Sequence, residues 1–133
     1  MVNLIVGNKG SGKTKALIGA INQAFEKTKG NVVCIDKSLK LRFELNHSVR
    51  IVDVEEFNIS SYSELYGLIA GLVSANYDIE EIFIDSILKI GGKNLSDLGE
   101  FLAKADATFK NVSLTITVSA DKEELPDTVV SYM

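Results

Sequence analysis

Eight consecutive residues near the amino terminus, Gly7-Asn8-Lys9-Gly10-Ser11-Gly12-Lys13-Thr14, fit the pattern G-x-x-x-x-G-K-[ST]. Glycines so spaced let the backbone curl until successive N–H groups turn inward. Together with the start of a following helix, these groups form a nest for an anion. A triphosphate supplies such an anion. Lys13 would bridge its β- and γ-phosphate oxygens as a point charge, and the Thr14 hydroxyl would ligate Mg²⁺, a cation that keeps several waters and takes few protein ligands. The spacing thus predicts Mg²⁺-dependent binding of a nucleoside triphosphate by Gly7, Asn8, Lys9, Gly10, Ser11, Gly12, Lys13 and Thr14. ATP is the expected nucleotide, and no N-K-x-D guanine motif is present.

A phosphate loop of this kind needs a carboxylate near the magnesium. Ile82-Phe83-Ile84-Asp85 offers one, because an apolar strand ending in Asp delivers that carboxylate to the carboxyl edge of a sheet. Thr14 and Asp85 are therefore the expected metal residues. For a base acting on an attacking water, Glu55, Glu56 and Asp36 are the candidates, each near the end of an apolar run, with solvated loop acids as the competing reading for the two glutamates. Arg42 and Arg50 are the only arginines, His47 sits among polar and charged residues, and Tyr62 and Tyr66 fit helix packing better than base stacking.

These residues require a particular scaffold. Val2–Val6 reads as a buried strand running into the loop, and Lys13–Lys27 as a helix whose Ala16/Leu17, Ala20/Ile21 and Ala24/Phe25 recur every four residues. Gly30 suits a left-handed helix end. Residues 31–36 and 49–54 read as strands, with a short helix expected over Leu39–Leu45 between them. Ser61 and Glu64 form a capping box, followed by Leu65, Leu68, Ile69, Leu72 and Val73 along one helix face. Ile82–Asp85 is a fourth strand, Asn94–Phe109 a helix with Leu95, Leu98, Leu102 and Ala105 inward, Val112–Ser119 a fifth strand, and a short helix is expected after Pro126. Strands alternating with helices imply right-handed crossovers and a mainly parallel five-stranded sheet in a three-layer α/β/α fold.

At 133 residues the chain predicts one domain spanning 1–133. Hydrophobic residues at 46% and charged residues at 24% exclude disordered and disulfide-scaffold classes. The longest charge-free stretch, Leu65–Tyr77, is far shorter than the roughly 20 apolar residues of a membrane helix. With no signal-like start and one cysteine, Cys34, in an apolar run, a cytoplasmic protein is expected. Residues 1–50 carry nine Lys/Arg against three Asp/Glu, whereas residues 51–133 carry five against fifteen. The basic half suits phosphate, and the acidic remainder does not indicate a nucleic-acid groove.

The P-loop at residues 7–14, Cys34-Ile35-Asp36, Ile84-Asp85-Ser86 and the order of elements together resemble the RecA-like branch of P-loop NTPases over residues 1–119. The sequence also resembles small bacterial P-loop proteins sometimes labelled twitching-motility ATPases. That functional label is not carried over, since this chain is much shorter than the motor ATPases. The resemblance makes Asp85 the Walker B carboxylate and puts Ser119 near the family's γ-phosphate sensor. It also exposes two departures: Ser38 stands where RecA-like enzymes place an activating glutamate, and Ser86 where related ATPases place another. The implied activity is ATP binding with slow or partner-stimulated hydrolysis, a protein partner or homo-oligomer being the source of stimulation. A nucleotide-dependent switch without turnover is the alternative, and a small-molecule kinase ranks third because no lid cysteines or arginine-rich lid are present.

Overall fold

A computed structural model describes residues 1–28, 31–38 and 41–133. Strands β1 (Val2–Gly7), β2 (Asn31–Asp36), β3 (Arg50–Asp53), β4 (Ile79–Ile84) and β5 (Ser113–Ser119) form one sheet in the order β1-β5-β4-β2-β3, and every neighbouring pair is parallel. Helices α1 (Lys13–Lys27), α2 (Tyr62–Ala75), α3 (Ile87–Gly91), α4 (Leu95–Thr108) and α5 (Asp127–Val130) cover it, and a 3₁₀ turn spans Lys122–Glu124. The architecture is the expected α/β one.

Alternation along the strands sorts residues between two cores. Val33 and Ile35 of β2, Ile82 and Ile84 of β4, and Leu114, Ile116 and Val118 of β5 pack with Leu65 and Ile69 of α2 and Leu98, Leu102 and Ala105 of α4. Val32, Cys34 and Phe83 point the other way, against Leu17 and Ile21 of α1 and against Leu41, Leu45 and Val49. The first core is much the larger, so α1 and the segment before β3 cover their face almost alone.

Local signals account for the starts of α2 and α4. Ser61 caps α2 by accepting from the Glu64 N–H at 3.1 Å, while the Glu64 carboxylate accepts from the Ser60 N–H at 2.9 Å and the Ser61 hydroxyl at 3.1 Å, completing the expected box. Asn94 likewise caps α4 through the Asp97 N–H. Tyr62 and Tyr66 do pack between helices, with ring centroids 5.5 Å from Phe101 and 5.2 Å from Phe109.

Three expectations are corrected. No helix occupies the described part of Leu39–Leu45: residues 41–44 form turns, with Glu44 N–H donating to the Leu41 carbonyl. The Leu41 N–H instead donates to the Asp36 carboxylate, and Leu41 and Leu45 are buried as separate anchors. Residues 39 and 40 lie outside the described residues, as does Gly30; α1 ends at Lys27, with Thr28 extended. The fourth strand starts at Ile79 rather than Ile82, because Glu80 and Glu81 interrupt an apolar run that nonetheless pairs with β2. Asp85 follows that strand, and α3, which no periodicity announced, begins two residues later.

Cys34 is fully buried, and this burial, reinforced by the carboxylates of Asp36 and Asp85, pushes its thiol up to about 12. At pH 8 the native chain should therefore react with a thiol reagent roughly a hundredfold more slowly than the chain in denaturant. The raised value also sets a sign: an unfolded cysteine ionises from about 8.5, so the stability tied to this neutral thiol is complete below that pH and falls as pH rises towards 12. Equal reaction rates in the folded and denatured chain would contradict the burial.

Candidate functional site

β1 delivers the glycine-rich segment to the carboxyl edge of the sheet, and α1 leaves from it. Gly10 and Gly12 have φ of +85° and +89°, a left-handed backbone that glycine adopts without steric cost. At Gly7 a Cβ would press on the exposed Ser11 side chain, which would have to rotate or shift to admit it. The Ser11 N–H donates to the Asn8 carbonyl at 3.1 Å, and Lys13 Nζ donates to the same oxygen at 2.9 Å. At the start of α1, the Gly12 carbonyl accepts from the Ala16 N–H. No side chain caps this helix and no acid stands in its first turn. A loop curled in this way, opening on a helix start that carries Lys13 and Thr14, fits a bound anion.

Strand order decides what stands next to it. β5, not β4, pairs with β1, and Gly7 is in register with Ser119. Ser119 is exposed beside the first residue of the loop. Asp85 follows β4, two strand spacings or roughly 10 Å from β1. The alternation that sends Phe83 towards α1 sends Asp85 the same way, so its carboxylate and the loop share one face of the sheet. Asp85 is buried, and one of its oxygens accepts from the Thr117 hydroxyl at 2.8 Å. No described group donates to its other oxygen, which leaves this carboxylate able to join a magnesium shell with Thr14.

Thr117 was not singled out in the sequence. It is wholly buried, donates to Asp85, and accepts from the Ser86 N–H at 2.6 Å. One hydroxyl thus joins β5 to the end of β4 and holds Ser86 at φ +56°, where α3 begins. The available signal is the alternation Ser113-Leu-Thr115-Ile-Thr117-Val-Ser119, in which every residue on one face carries a hydroxyl.

The candidate bases are not gathered at the loop. Asp36 ends β2, about three spacings or roughly 14 Å from β1, and its carboxylate accepts from the N–H groups of Lys37 at 2.8 Å and Leu41 at 3.3 Å. Glu55 and Glu56 are exposed in the turn after β3, at the opposite edge of the sheet and roughly 19 Å away by strand spacing. Ser38, with φ of +69°, is exposed beside that same end of the sheet.

No protein-family model matches the chain, and no curated protein matches it. Among solved structures it is similar to the crystal structure of flagellar accessory protein FlaH from Methanocaldococcus jannaschii, with a TM-score of 0.63 and 17% sequence identity. The match covers 98% of this chain and 65% of that one, so this chain spans less than two thirds of FlaH. At that identity the likeness concerns the fold. No described helix is long and apolar enough to cross a membrane.

Thr117→Val keeps shape while deleting both hydrogen bonds, leaving the Ser86 N–H and one Asp85 oxygen without their partner. A loss of about 1–3 kcal/mol in unfolding free energy is expected, measurable by denaturant titration. Thr117→Ser, which retains the hydroxyl, should recover most of it, and an equally destabilised serine variant would show that the methyl group, not the hydroxyl, matters.

Proposed function

We propose that this protein is a RecA-like P-loop protein that binds a nucleoside triphosphate, ATP by preference, with Mg²⁺, and hydrolyses it slowly unless a protein partner or a second copy of the chain assists. The observation that carries the reading is the loop itself: left-handed Gly10 and Gly12, a Gly7 against the Ser11 side chain, and Lys13 and Thr14 on the first turn of α1. In this reading the N–H groups at the start of α1 face the phosphates, and Lys13 exchanges the Asn8 carbonyl for phosphate oxygens. The Thr14 hydroxyl and the Asp85 carboxylate hold the metal, and Ser119 donates a hydrogen bond beside the loop. Magnesium bound there supplies charge neutralisation on the phosphates.

Slow turnover follows from where the acids stand. A positioned base contributes about 10²- to 10⁴-fold in rate. Asp36 is engaged with backbone N–H groups, Glu55 and Glu56 lie at the far sheet edge, and Ser38 and Ser86 are hydroxyls. The same placement favours a second reading, a nucleotide-dependent interaction module that does not turn over. Single-turnover phosphate release from the purified chain separates the two.

Lys13→Ala should weaken triphosphate binding roughly 10- to 150-fold, corresponding to about 1.5–3 kcal/mol for a charge-assisted contact. Isothermal titration of both proteins with ATP and Mg²⁺ provides the measurement, and equal affinities would refute the assignment.

Asp85→Asn retains an oxygen that can accept from Thr117, so the variant should stay folded while its nucleotide affinity loses most of its Mg²⁺ dependence. A variant that melts yet keeps that dependence would make Asp85 a structural cap.

A further inference from the structure

Away from the loop, the segments that follow β2, β3 and β4 border an open surface cleft of about 480 Å³ lined by Lys37, Glu55, Asn58, Ile59, Ser60 and Lys89. Its volume suits a small molecule. β5 and β4 separate the strand that carries the glycine loop from β2, so this cleft is a different place on the same edge.

The walls are held by bonds that leave the lysine side chains free. Asp53 accepts at a single oxygen from the N–H groups of Ser38 at 3.0 Å and Glu55 at 2.9 Å, tying the segment after β2 to the turn after β3. Asp36 fixes the backbone of Lys37, and its carbonyl accepts from Val54 at 3.0 Å. On the third side, Ile87 and Ile90 are buried and anchor α3, which leaves Lys89 exposed towards the cleft. Ile59 supplies an apolar surface between them. Ser38, Asn58 and Ser86, the three non-glycine residues with left-handed backbone among the described residues, all follow the ends of these three strands. Such conformations cost about 1–3 kcal/mol each and persist only where surrounding structure imposes them.

Neither Lys37 nor Lys89 has a carboxylate within salt-bridge distance among the described residues, although Glu55 lines the same cleft. Two lysines from separate elements border one hollow, neither within salt-bridge distance of a described carboxylate, and their charges favour a ligand with two negative charges. We infer that this cleft binds a small dianion, a phosphate- or carboxylate-bearing metabolite, with Lys37 and Lys89 as its cationic contacts and Asn58 and Ser60 as hydrogen-bonding groups. The inference stands independently of what occupies the glycine loop.

The test uses the full isotope-labelled chain carrying Lys13→Ala, which removes the lysine at the start of α1, titrated at mildly alkaline pH and constant ionic strength with inorganic phosphate and, separately, with malonate. Saturable amide shifts at Lys37, Ser38, Asn58 and Lys89 are expected with at least one of them, and which anion succeeds tells phosphate from carboxylate. Adding Lys37→Gln or Lys89→Gln, both at exposed positions, should weaken binding roughly threefold or more for each lysine removed. If neither anion shifts these amides, or if the lysine variants titrate like their parent, the inference is overturned. The nucleotide reading is scored separately, on the amides of residues 7–14 in the unaltered chain with ATP, so the two can fail one without the other.

Discussion

Parallel pairing of all five strands places every strand's carboxyl end on one edge of the sheet, and the polar chemistry of the molecule is organised around that constraint. Backbone groups at such an edge leave the ladder and must find partners elsewhere. The chain meets the demand with buried or half-buried carboxylates: Asp36 takes the N–H groups of Lys37 and Leu41, and Asp53 those of Ser38 and Glu55. Asp85 differs, because its partner is the Thr117 side chain and not a backbone N–H. Of the three, it is the one held by a side chain of β5, the strand next to the one that carries the loop.

The two faces of the sheet are built differently for a related reason. Apolar alternation on one face meets α2, α3, α4 and α5 in a large core, whereas the other face mixes Cys34 and Phe83 with Thr117, Asp36 and Asp85. Burying those polar groups is tolerable because each has a hydrogen-bond partner, and no buried side-chain polar atom among the described residues lacks one. The site and the weaker core thus share a face, with α1 serving both: its Leu17 and Ile21 close the core and its first turn carries Lys13 and Thr14.

Much of this was legible in the residues. Glycine spacing located the loop, four-residue recurrence gave α1 its span, and the Ser61/Glu64 box located the start of α2, since each signal is local and physically specific. Strand order was not legible, because nothing in a run of apolar residues states its neighbour; β5 between β1 and β4 is what separates Asp85 from the loop by a strand and seats Ser119 beside Gly7. α3 is too short to show a period, and the Leu41–Leu45 spacing imitates a helix because two leucines anchor a turn. The role of Thr117 depends on a tertiary contact 32 residues away in sequence.

The sheet order also bears on how the chain acquires its structure. The strand that carries the glycine loop precedes the other strands of this sheet in sequence, yet its ladder partner among the described residues is β5, with Val2 opposite Leu114 and Gly7 opposite Ser119. Strands β2, β3 and β4 can assemble with α2 before β5 is made, but closing so long a separation costs entropy that only late contacts repay. The ladder beneath the glycine loop therefore cannot form until Ser113–Ser119 has been made, and the loop's foundation depends on the most distant strand of the sheet in sequence.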